Sequence, residues 1–97
     1  MRVTLLYFDG CPHWQITAAR LEALVGELDF TVERQVVDTP EAAEALEFRG
    51  SPTVLVDGID PFADPDAPVG LSCRLYATPE GLGGAPIEAM LRQALAG

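Results

Sequence analysis

The spacing of apolar positions changes several times along the chain, and each change marks an element. Residues 2–8 run nearly unbroken as Val3, Leu5, Leu6, Tyr7 and Phe8 with few polar members, the pattern of a buried strand. From Trp14 the period lengthens, and Trp14, Ala18, Leu21, Leu24, Val25 and Leu28 form one helical stripe. Pro12 suits the first turn of that helix, where its missing N–H costs nothing. Residues 31–37 alternate as a second strand. Thr39, Pro40 and Glu41 then supply an N-cap, an N1 proline and a first-turn acid for a helix expected to reach about Phe48.

Val54, Leu55 and Val56 read as a third strand closed by Asp57-Gly58, a strong turn signal. Residues 59–70 carry three prolines and three aspartates without periodicity, so they form a long, stiff connection that could serve as a lid. Leu71–Ala77 read as a fourth strand, Thr78-Pro79-Glu80-Gly81 as a turn, and Pro86 opens a last amphipathic helix through Ile87, Met90, Leu91 and Leu95. The expected order is β-α-β-α-β-β-α in one domain spanning residues 1–97. A right-handed crossover would make the first two strands parallel neighbours.

Composition narrows the function classes. Six basic residues, all Arg, face fifteen acids for a formal charge of −9, which argues against nucleic acid and anionic membrane surfaces as partners. No stretch approaches the ~20 apolar residues of a membrane span. Residues 1–8 are too short for a signal-peptide core and run straight into Asp9, so a cytoplasmic location is the expectation. Two cysteines and one histidine do not make a structural zinc set. Asp57, Asp60, Asp64 and Asp66 lack the spacing and closing Glu of a calcium loop, so no metal and no cofactor is expected.

Cys11 is the main chemical candidate. It follows the Asp9-Gly10 turn and precedes a helix start, where free backbone N–H groups favour a thiolate, with His13 adding a donor nearby. Asp9 opposes that effect. The Cys11-Pro12-His13-Trp14 run together with Gly50-Ser51-Pro52-Thr53 resembles the active-site edge of the thioredoxin superfamily. Cys-Pro-His resembles in particular the strongly oxidising, disulfide-forming branch. The departure is Trp14, which stands where the second cysteine of a Cys-x-x-Cys motif belongs.

The resemblance implies a thioredoxin-like α/β fold with a four-stranded mixed sheet and helices on both faces. It implies a cis Ser51-Pro52 bond beside the sulfur, with Ser51 offering backbone groups to an extended thiol ligand. Trp14, Ser51 and Pro52 then become candidate substrate-binding residues, and Cys11 and His13 catalytic ones. A low-molecular-weight thiol or a protein disulfide is the implied partner. Gly83-Gly84 ahead of a helix resembles the glutaredoxin branch, where such a pair receives a ligand carboxylate. Arg49 and Arg74 could add positive charge near a thiol ligand, although nothing in the sequence places them there.

Cys73 is the one internal candidate for a second thiol. With a strand beginning at Leu71 and reaching the active-site edge near Ala77, Cys73 lies about four residues, ~13 Å, short of that edge. A disulfide needs Cα atoms within about 7 Å, so a core cysteine is expected unless the strand starts later. Three functional readings remain open. One is redox chemistry through Cys11 as a single nucleophile, resolved by an external thiol or by Cys73. Another is a binding module that has lost the chemistry. The third is soft-metal or alkylmercury lyase-like chemistry drawing on Cys11, Cys73 and Asp9.

Overall fold

The computed structural model describes residues 1–96. Its elements, in chain order, are β1 (Arg2–Tyr7), α1 (His13–Val25), β2 (Thr31–Val36), α2 (Pro40–Ala45), β3 (Thr53–Val56), β4 (Tyr76–Thr78), β5 (Gly81–Gly83) and α3 (Glu88–Ala96). The architecture is mixed α/β. β1 is the central strand, parallel to β2 and antiparallel to β3, with Leu5 opposite Arg34 on one side and Val54 on the other.

Burial on both faces explains the unbroken apolar run in β1. Val3 and Leu5 pack against Ala18, Leu21 and Leu24 of α1 and Leu91 and Leu95 of α3. Leu6 faces the other way, onto Val37, Ala43 of α2 and Phe48. Successive strand side chains point to opposite faces, so β1 supplies both cores at once. β2 lies at the edge and remains largely exposed, in keeping with its mixed sequence.

The caps follow the local chemistry. Thr39 Oγ1 accepts from the Ala42 N–H at 3.1 Å, and Pro40 stands at the first helical position. α2 ends earlier than expected, at Ala45, in a Schellman arrangement: Phe48 N–H donates to Ala43 O and Glu47 N–H to Glu44 O. Glu47 takes the left-handed conformation that this ending requires (φ 52°), and the reversal swings Phe48 into the core. At Asp57-Gly58 both residues have positive φ, and Val56 and Ile59 exchange hydrogen bonds across the tight turn.

The expected four-stranded sheet is replaced by a three-stranded sheet and a separate β4–β5 hairpin. Only the end of the segment read as the fourth strand is extended in a ladder, from Tyr76 onward. The inward positions are the reverse of what hydrophobicity suggests. Arg74 and Tyr76 are buried, whereas Leu71, Cys73 and Leu75 are exposed. Arg74 is admitted because its charge is matched: it bonds Asp60 Oδ2 at 2.6 Å and the Phe62 carbonyl, and lies 4.6 Å from the Tyr76 ring centroid. No helix of the described residues is long and apolar enough to cross a membrane.

Candidate functional site

The site forms where β1 hands over to α1. The chain turns through Asp9-Gly10, with the Cys11 N–H donating to Phe8 O at 3.3 Å, and α1 begins two residues later. Cys11 is fully buried at this junction. Beside it the chain enters β3 through a cis Ser51-Pro52 peptide, as the resemblance implied. Ser51 and Pro52 are both buried, and the Ser51 hydroxyl accepts from the Phe8 N–H at 3.3 Å, tying the two turns together.

The backbone of Ser51 is engaged by the chain itself. Its N–H donates to Ser72 O at 2.8 Å, and its carbonyl accepts from Arg74 N–H at 3.0 Å. These bonds make a single parallel bridge between Ser51 and Cys73. Cys73 is thereby held against the site, and its sulfur is joined to Cys11 in a disulfide with a Cα–Cα distance of 5.7 Å. The expectation of a core cysteine some 13 Å from the edge is overturned. Residues 72–74 run parallel to residues 50–52, which enter β3 at the edge where β1 ends, so the segment carrying Cys73 starts at that edge instead of reaching it at Ala77.

Three groups fix this segment. Arg74 is anchored to Asp60 and Phe62 as described, and its Nη1 also approaches Thr53 Oγ1 at 3.4 Å. The Tyr76 hydroxyl donates to the Pro52 carbonyl at 2.5 Å. Burial pushes that phenol well above its ordinary range, opposed by the Arg74 charge and reinforced by Asp60. Gly50 permits the close approach: its φ is +121°, and a Cβ there would lie 2.9 Å from the Arg74 Cβ. The polar anchors Asp60 and Tyr76 have no place in a sequence-level site. The one available signal is a lone Arg inside an apolar run, which demands a buried acid elsewhere.

The two cysteines differ in access. Cys73 is exposed and lines an open cavity of about 660 Å³, walled by Phe62, Leu75, Tyr76, Leu82 and Met90 with Arg49 at its margin. Arg49 also bonds the Pro65 and Ala67 carbonyls, so it pins the Pro/Asp connection. Arg74, bound to Asp60, is committed to structure.

The remaining expected site residues divide between two places. His13 is exposed at the start of α1, and its ring lies over Gly84, where a Cβ would come within 2.5 Å of it. His13, Arg20 and the Gly83-Gly84 pair line a second cavity of about 270 Å³. Arg20 Nη1 donates to Pro86 O at 2.6 Å there. Trp14 stacks on Tyr7 with ring centroids 4.1 Å apart and lies under the Arg34 guanidinium at 5.8 Å. It packs on the main core and lines neither cavity.

Among the described residues no group of three or more His, Cys, Asp or Glu side chains is placed to hold a metal ion. Compared with known protein families, curated proteins and solved structures, the chain matches none.

Proposed function

We propose that the chain is a thioredoxin-like thiol–disulfide redox protein whose working couple is Cys11–Cys73. The observation that carries the reading is the disulfide itself. It joins the turn before α1 to a residue bridged with Ser51, next to the cis peptide, and one of its cysteines is exposed. Cys73 thus takes the part that Trp14 cannot, as the second thiol that closes the disulfide. In the reduced form Cys11 sits ahead of a thirteen-residue helix, whose terminal N–H groups favour negative charge on sulfur.

The partner class is a low-molecular-weight thiol or a protein disulfide. The proposed setting is the cytoplasm, where persistent structural disulfides are rare and a thiol pool supplies reductant. Equilibration of the folded protein in thiol buffers of graded potential, with thiols counted by alkylation and mass, tests the reading. A midpoint above about −300 mV with the fold retained is the expected result. A lower midpoint marks a structural staple and overturns the redox function.

The same 5.7 Å Cα separation favours one secondary reading, since the reduced pair would present two thiolates to a soft metal ion. Retention of stoichiometric Hg(II) by the reduced protein against a competing monothiol tests it. Loss of the metal to that competitor dismisses it.

A further inference from the structure

The two cysteines of the disulfide are presented unequally, and this asymmetry assigns them different roles. Cys11 is 0 % exposed and lines none of the 660 Å³ cavity, whereas Cys73 is exposed and forms part of its wall. Exchange requires an incoming thiolate to reach one sulfur while the other departs, and access decides which is attacked. The environment of the departing sulfur matters equally. Cys11 lies ahead of the N-terminus of α1, which favours the negative charge that a leaving thiolate acquires.

We propose that external thiols enter at Cys73 and that Cys11 is the leaving and resolving sulfur, the reverse of the order expected from the Cys-Pro-His motif. The inference rests on the redox reading above. In the reductive direction a thiolate RS⁻ attacks Sγ of Cys73. The Cys11–Cys73 bond breaks, an R–S–Cys73 bond forms, and the electron pair leaves on Cys11. A second thiolate then attacks the R sulfur, releasing RSSR and the Cys73 thiolate. The balance is two thiols oxidised to one disulfide and one protein disulfide reduced to two thiolates. In the oxidising direction Cys73 attacks an external disulfide, and Cys11 displaces the bound half from the mixed disulfide.

The cavity also selects the carrier of the thiol. Its wall is apolar through Phe62, Leu75, Leu82 and Met90, and Leu75 and Leu82 are 65 % and 73 % exposed. Its charged lining is balanced, with Asp64 set against Arg49 and Arg74 already paired with Asp60, while the chain as a whole carries a formal charge of −9, which repels anionic ligands. The fitting occupant is an uncharged thiol on an apolar carrier.

The test uses the native oxidised protein, with benzyl mercaptan and 2-mercaptoethanesulfonate as probes. The reaction is quenched in acid at partial conversion, free thiols are alkylated, and the adduct is located by peptide mass. The expected result is the benzyl adduct on Cys73 with Cys11 alkylated. After normalising each probe to a small reference disulfide, benzyl mercaptan should be faster by about tenfold. The Leu82→Glu variant should lower that preference several-fold while leaving the adduct on Cys73.

A second comparison avoids rapid re-closure of the mixed disulfide. The Cys11→Ser and Cys73→Ser variants are reacted with 4,4′-dithiodipyridine, and the Cys11→Ser protein, which retains Cys73, should react about tenfold faster. An adduct on Cys11, or a faster Cys73→Ser protein, overturns the assignment and leaves the redox reading standing. Equal normalised rates for the two probe thiols overturn the apolar carrier. A disulfide that opens only in denaturant overturns both the redox reading and this inference.

Discussion

In residues 1–56, β1, β2 and β3 with α1 and α2 are held by burial: Val3, Leu5, Leu6, Leu21, Leu24, Phe48 and Val54 are almost wholly enclosed. Residues 59–78 contrast with them. Ile59, Val69, Leu71 and Leu75 are exposed, while Arg74 and Tyr76 are buried. This segment is braced internally by the Arg74–Asp60 ion pair and held to residues 1–56 by the Cys11–Cys73 disulfide, the Tyr76–Pro52 hydrogen bond and the Arg49 contacts. Apolar burial is non-directional, whereas polar bonds and a disulfide are local and can be opened singly. A segment attached in the second way can be released while the sheet persists.

The largest effect should come from opening the disulfide, which closes a loop of sequence separation 62. In the chain-entropy account this costs about 4 kcal/mol, read as a lower urea midpoint in the reduced protein. Hydrogen exchange sharpens the comparison. Protection of the Arg74 N–H, bonded to Ser51 O, should fall on reduction while that of the β1 and β2 amides is kept. Equal loss in both regions would mean that they form one cooperative unit.

Leu5→Ala tests the other side and should cost about 3 kcal/mol in oxidised and reduced protein alike, measured by denaturant unfolding. Leu5 is wholly enclosed in the core shared by α1 and α3. Arg74→Met should cost about 3 kcal/mol by the same measurement, because it strands Asp60 and the Phe62 carbonyl. It should also raise the rate at which thiols open the disulfide, an effect that Leu5→Ala at matched stability should lack.

Gly50→Ala should cost about 2 kcal/mol, since it places a side chain in a positive-φ conformation and against Arg74. Its damage should concentrate at residues 72–74, visible as altered exchange at the Ser51 and Arg74 amides. Tyr76→Phe is the mildest change and should cost about 1 kcal/mol through the lost bond to Pro52. A cost near zero would show that the hydroxyl bond contributes nothing to holding residues 72–76.

Much of residues 1–56 was legible because local chemistry and global fold agree there. The apolar run 2–8, the helical stripe from Trp14, the Thr39-Pro40 cap and the Asp57-Gly58 turn each became the expected feature. The Ser51-Pro52 bond is cis as the motif implied. Legibility failed at Leu71–Ala77. The segment read as a strand with Cys73 in the core, and the buried positions are Arg74 and Tyr76. A buried guanidinium depends on partners that propensity does not contain, here Asp60 fourteen residues earlier.

The sequence by itself determined the β-α-β-α-β order of residues 2–56, the position of Cys11 ahead of a helix, and the Asp9-Gly10 turn before it. Those features depend on residues adjacent in the chain, whose spacing and backbone preferences are visible locally. Only the tertiary structure decided that Cys73 reaches Cys11, that Ser51 bonds the segment carrying it, and that Trp14 packs on Tyr7. Each of these is a contact between distant parts of the chain, set by where a ladder begins and which charges are paired. A three-dimensional offset of a few residues turns a core cysteine into a disulfide partner.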